Sequence, residues 1–126
     1  MKPAEETKIL IIDDDEDFLS ILNIKFKKEG FLVATAKNGE EGIGAAKSEK
    51  TDIILLDMAL PKKGGLEILA DLKSDENCKN IPVIILSNFS EDENIKKALS
   101  LGATDYFIKA DNSISDIVQK VKKYIG

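Results

Sequence analysis

The chain has 126 residues, the length of one domain and enough for a sizeable core. Apolar residues make up 43% and charged residues 33%, an ordinary globular balance that excludes a disordered chain. The net charge of −5 excludes a broad nucleic-acid-binding surface, and the absence of histidine excludes histidine catalysis, histidine metal ligation and phosphohistidine chemistry within the chain.

The opening "MKPAEETK" lacks the apolar core of a signal peptide, and no segment reaches membrane-spanning length, so a cytoplasmic setting is expected. Residues 8–13, "KILIID", read as a strand. Five consecutive acids follow, Asp13 to Asp17. Phe18, Leu22 and Phe26 then recur at helical steps, and Gly30 is placed to end that helix. "FLVATA" (31–36) is a second, more mixed strand, expected near a sheet edge.

Asn38 and Glu41 have capping-box spacing and open a second helix, which carries Gly42 and Gly44 and should be the least stable. "DIILLD" (52–57) is a third strand, closed by Asp57. In the loop beyond it, Lys62 and Lys63 are expected to be solvated charges. The single cysteine, Cys78, excludes an internal disulfide and reads as an inert loop thiol.

"IPVIILS" (81–87) is the fourth strand, followed by Ser90 and Glu93 at capping spacing and by Ile95, Ala98 and Leu99 on one helical stripe. Gly102 should end that helix. "DYFIK" (105–109) is the fifth strand, and Ser113 with Asp116 opens a last helix whose apolar face is Ile114, Ile117, Val118 and Val121. The late lysines in "VKKYIG" suit a helix C-terminus.

Strands alternating with helices predict an α/β domain, with helices on both faces of a parallel sheet. The nearly continuous aliphatic runs of strands 1, 3 and 4 fit burial on both sides. Right-handed crossovers favour the flavodoxin-like (βα)5 order 2-1-3-4-5. One domain is expected over 1–126, with an ordered core from about 7 to 125 and no output domain.

In such a sheet, function collects at the carboxyl ends of the strands. Those ends carry Asp13 and Asp14, Asp57, Ser87 and Lys109. Asp15, Glu16 and Asp17 suit the first turn of a helix, where acids meet free N–H groups. Two ionised carboxylates about 4 Å apart repel by roughly 4 kcal/mol at an effective dielectric of about 20. A hard divalent cation such as Mg²⁺ would relieve Asp13, Asp14 and Asp57 of that repulsion. Asp57 can attack phosphorus as a carboxylate nucleophile, with Lys109 neutralising charge and the Ser87 hydroxyl donating to a phosphoryl oxygen.

From "ILIIDDDEDF" through "DIILLDMALPKKGGLEIL" and "IPVIILSNFSED" to "GATDYFIKA", the chain resembles the receiver domain of two-component response regulators. The resemblance implies that Asp57 accepts a phosphoryl group from a sensor histidine kinase or a histidine phosphotransfer protein. It implies a Mg²⁺ site, open to Mn²⁺ as a substitute, with Asp14 and Asp57 as ligands, Asp13 acting through water, and the Ala59 backbone carbonyl. It also implies a switch in which Ser87 moves and Tyr106 turns inward. That switch would remodel the face of helix 4, strand 5 and helix 5 for a downstream protein partner. The chain would act without nucleic acid or membrane, as a monomer or a phosphorylation-dependent homodimer. The initial Met and the complete last helix favour a stand-alone form.

The sequence departs from the family pattern at three places. Ala110 follows the lysine where proline with a cis bond is usual; since a cis bond there costs about 2.5–4 kcal/mol, the peptide is either strained or trans. Asn88 replaces a small residue beside the phosphoryl site, and "KKGG" lacks the usual acid. Ala59, Asn88 and Phe89 stand where receivers tune hydrolysis of the acyl phosphate; small Ala59 and shielding Phe89 predict a lifetime of minutes or longer. The alternatives are a degenerate receiver that binds partners without phosphorylation, and a haloacid-dehalogenase-like phosphatase using the Asp13-x-Asp15 spacing.

Overall fold

The computed structural model describes residues 7–48, 50–60 and 64–125. The aliphatic runs become strands because branched side chains fit a pleated surface covered on both sides. In chain order the elements are β1 (Lys8–Ile12), α1 (Glu16–Lys28), β2 (Leu32–Ala36), α2 (Gly39–Ser48), β3 (Ile53–Asp57), α3 (Gly65–Ser74), β4 (Val83–Ser87), α4 (Asp92–Ser100), β5 (Asp105–Ile108), a single 3-10 turn (Lys109–Asp111) and α5 (Ile114–Ile125). All pairings are parallel and the order is β2-β1-β3-β4-β5, the flavodoxin-like arrangement expected. The mixed strand β2 is an edge, as its composition predicted.

Period-two alternation divides the core into two halves. Ile9, Ile11, Ile53, Leu55, Ile84, Leu86 and Phe107 pack with α1 and α5 on one face. Leu10, Ile12, Ile54, Leu56, Val83 and Ile85 pack with α2, α3 and α4 on the other.

Local signals mostly hold. Ser113 and Asp116 form a reciprocal capping box, each backbone N–H donating to the other side chain at 3.0 and 3.1 Å. Asn38 Oδ1 accepts from Glu41 N–H at 2.9 Å, while Glu41 reaches back to Lys37 N–H rather than to Asn38 N–H. Gly30 and Gly102 close their helices at φ of 95° and 106°, a region open to glycine.

Four expectations need correction. The Ser90–Glu93 box does not form; α4 begins at Asp92 with Glu91 as its cap. On that helix only Ala98 is buried, Ile95 is half-buried and Leu99 is 46% exposed, so one turn rather than a stripe meets the core. β4 starts at Val83, since Pro82 has no N–H for the ladder. Cys78 is fully buried within the α2–α3–α4 half of the core, although its sequence neighbours are polar. Lys62 and Lys63 lie outside the described residues. Among the described residues, no helix is long and apolar enough to cross a membrane.

Candidate functional site

Register builds the site. β1 pairs with β3 through Ile12 opposite Leu56, so the next residues, Asp13 and Asp57, leave the sheet side by side. β4 pairs with β3 through Leu86 opposite Asp57, and with β5 through Ser87 opposite Ile108, so Ser87 and Lys109 come to the same edge.

Asp13 is 2% exposed, and both of its oxygens are engaged. Its Oδ1 accepts from Asp15 N–H at 2.9 Å and its Oδ2 from the Lys109 ammonium at 2.9 Å. Asp14, one residue on, is exposed. Asp15 leaves the cluster to cap α1, accepting from the N–H groups of Asp17 and Phe18 at 3.1 and 3.2 Å. Glu16 turns outward to pair with Lys37 at 2.7 Å. Of the five acids, Asp13 and Asp14 thus join Asp57 in one carboxylate cluster, while Asp15 caps the helix.

Asp57 is buried. Its Oδ1 accepts from Ala59 N–H at 3.3 Å and lies 3.7 Å from Lys109 Nζ. Burial, and then the neighbouring charge of Asp13, push its pKa up from 3.8 to about 6, with Asp14 adding to the rise. Lys109 and the Ala59 N–H pull the other way.

One oxygen from each of Asp13, Asp14 and Asp57 lies within 4.8 Å of the others. Ligands on opposite sides of a Mg²⁺ ion are roughly 4.2 Å apart, twice the metal–oxygen bond. Neighbouring ligands of the same ion are only about 3 Å apart, so the carboxylates draw closer on binding it directly, or one of them binds through water. A hard, all-oxygen, strongly anionic donor set fits Mg²⁺, and beyond the effect of burial the charges of Asp13 and Asp14 also raise the pKa of Asp57, a repulsion a cation would relieve.

The remaining candidates sit around this cluster. Ser87 is buried, its Oγ accepting from Phe89 N–H at 2.9 Å. The Tyr106 hydroxyl donates to the Phe89 carbonyl at 2.8 Å. Ala59 and Asn88 are exposed. Phe89 is 43% exposed and lines a cavity of about 450 Å³ with Met58, Gly65 and Leu66. Among the described residues no peptide bond is cis, so Lys109–Ala110 is trans, and the ammonium still reaches both carboxylates from the 3-10 turn. Sequence reasoning missed Phe18, whose ring centroid lies 4.5 Å from Lys109 Nζ. Its position in the first turn after the acids was the available signal.

Comparison with known proteins agrees with this geometry. The family model for the response regulator receiver domain matches residues 9–122. Sporulation initiation phosphotransferase F of Bacillus subtilis (strain 168) is 38% identical over 118 residues, covering 94% of this chain and 93% of that protein. The alkaline phosphatase synthesis transcriptional regulatory protein PhoP of the same organism is 36% identical, but the chain spans only 42% of its length. A chain in the CheX–CheY–BeF3–Mg²⁺ complex from Borrelia burgdorferi superposes with a TM-score of 0.87 at 28% identity, covering 95% of this chain and 90% of that one.

Proposed function

The chain belongs to the response regulator receiver domain family, and from that premise we propose that it accepts a phosphoryl group on Asp57 and signals by the resulting change of surface. The carrying observation is the environment of Asp57. A buried carboxylate at a strand end is grouped with two further acids and has an ammonium at 3.7 Å.

The donor is the phosphohistidine of a partner kinase or phosphotransfer protein, since the chain itself has no histidine. An Asp57 oxygen attacks phosphorus, an O–P bond forms, and the P–N bond breaks with its electron pair passing to the imidazole nitrogen. Lys109 offsets charge on the phosphoryl oxygens, and the Ser87 hydroxyl, whose proton is not engaged by Phe89 N–H, donates to one of them. Mg²⁺ held by Asp14, Asp57 and the Ala59 carbonyl, with Asp13 acting through water, would neutralise charge on the same oxygens. That a chain of this fold in the Borrelia complex is named with Mg²⁺ and BeF3 supports a cation in this reading.

As Ser87 moves toward the phosphoryl group it draws on Phe89, and through it on Tyr106. The face of α4, β5 and α5 then changes for a downstream protein, as a two-state element biased by local charge. The setting in this reading is cytoplasmic, where such a partner kinase presents its phosphohistidine. Family membership removes the phosphatase reading, and Asp13, with both oxygens engaged, is poorly placed as a nucleophile.

Intact mass after acetyl phosphate and Mg²⁺ tests the reading. A gain of about 80 Da, one phosphoryl group, mapping to Asp57 and absent in Asp57→Asn, is expected. A folded chain that gains no mass would instead make this a receiver that binds partners without phosphorylation.

A further inference from the structure

The Lys109 ammonium meets three groups: Asp13 at 2.9 Å, Asp57 at 3.7 Å and the face of Phe18 at 4.5 Å to the ring centroid. We infer that Phe18 is a positioning residue for Lys109, its ring holding the ammonium at the one contact that phosphoryl transfer leaves unchanged.

The argument begins with backbone. Lys109 opens a 3-10 turn and precedes Ala110 through a trans bond, so no proline ring restrains the chain on its far side. A lysine side chain has four rotatable carbons and a point charge that carries no fixed orientation. Its direction must come from what surrounds it. Two of the three neighbours, Asp13 and Asp57, also serve the cation and the phosphoryl group, so their hold on Lys109 changes during the reaction. Phe18 takes no part in that chemistry.

Phe18 is also well anchored. Its N–H donates to Asp15 Oδ1, fixing the first turn of α1, and its side chain packs against the α1–α5 half of the core. Phe107, two residues before Lys109, belongs to that same half, at whose edge the ammonium lies over the Phe18 ring. The Asp15 N–H that Asp13 accepts belongs to the same turn, so one loop presents both a carboxylate and a ring to the ammonium.

The kinetic part of this inference rests on the phosphoryl-transfer reading; the structural part does not. The test places mono-, di- and trifluorophenylalanine at position 18, which keeps ring shape while draining negative charge from its face. Acetyl phosphate labelling of Asp57 in Mg²⁺ should slow stepwise, to about three- to tenfold for the trifluoro ring, with thermal midpoints unchanged. Phe18→Leu should be as slow, and Phe18→Tyr should match the parent. Equal rates across the fluorine series, or rates that follow the midpoints, would overturn the inference. A second arm needs no phosphorylation. The ε-protons of Lys109 should resonate upfield of the other lysines in the parent and return to the common position in Phe18→Leu. An ordinary Lys109 signal in the parent would refute the contact. If the parent takes no phosphoryl group while that upfield shift is present, the functional reading fails and the positioning contact stands.

Discussion

Tyr106 and Ser87 are joined through one residue: the Tyr106 hydroxyl donates to the Phe89 carbonyl at 2.8 Å, and Phe89 N–H donates to Ser87 Oγ at 2.9 Å. The two peptide groups flanking Phe89 thus couple β5 to the end of β4. A partly exposed hydrogen bond contributes on the order of 0.5–1 kcal/mol. Tyr106→Phe should therefore raise amide exchange in residues 88–91 by about two- to fivefold while leaving phosphoryl uptake close to the parent rate. Exchange identical to the parent would show that the hydroxyl does not hold the loop.

Asp57 should act against folding at neutral pH. Its folded pKa is about 6 against an ordinary 3.8, so between those values the folded chain keeps a proton that the unfolded chain has released. Its contribution is neutral below about 4 and becomes a penalty as the pH rises through about 6, reaching on the order of 2 kcal/mol after allowance for solvent screening. Asp57→Asn should accordingly stabilise the protein against urea at about pH 7.5 without divalent cations, with the gain gone near pH 4. Mg²⁺ should narrow the difference by stabilising the parent. Equal stability of the two chains at pH 7.5 would contradict the burial argument.

Two glycines should respond in opposite directions. A Cβ on Gly65 would lie 2.6 Å from the Asp57 carbonyl oxygen and from Met58 Cα, both backbone atoms that cannot step aside. Gly65→Ala must push α3 off the end of β3, costing about 1–3 kcal/mol and slowing labelling of Asp57. A Cβ on Gly44 meets nothing within 4 Å, so Gly44→Ala in α2 should gain about 0.5–1 kcal/mol from helix propensity alone. Urea midpoints of the two variants check both signs.

The acyl phosphate should outlast a few minutes. Ala59 has no side chain able to orient a water, and Phe89 stands over the cavity beside Met58 and Gly65. Ala59→Asn should shorten the lifetime several-fold and Phe89→Ala should do so as well, measured as loss of the added mass in Mg²⁺. Decay of the parent within seconds would refute this account.

The sheet and its order were legible because they rest on composition that repeats. Ile9–Ile12, Ile53–Leu56 and Val83–Leu86 are continuous apolar runs, and only doubly covered strands need them. The carboxylate cluster was legible for a related reason, since strand ends converge whatever loops follow. What escaped depends on contacts between distant parts of the chain. The Phe18 ring under Lys109 and the Phe89 clamp have no signature in their own neighbourhoods. Cys78 misled because its neighbours are polar while its own side chain turns into the core. In α2, the glycine judged a weakness at position 42 has a purpose: its missing Cβ lets the helix approach Ile12, whose Cδ1 would otherwise lie 2.4 Å away.

The pairing of Ile12 with Leu56 has one more consequence. Were β3 to slide by a single residue along β1, Leu56 would exchange faces with its neighbours, and Asp57 would point away from Asp13. A chain refolded out of alignment would retain its far-ultraviolet spectrum yet be blind to divalent ions. Titration with such an ion is thus a gauge of strand fidelity, reporting which molecules have threaded the central sheet correctly.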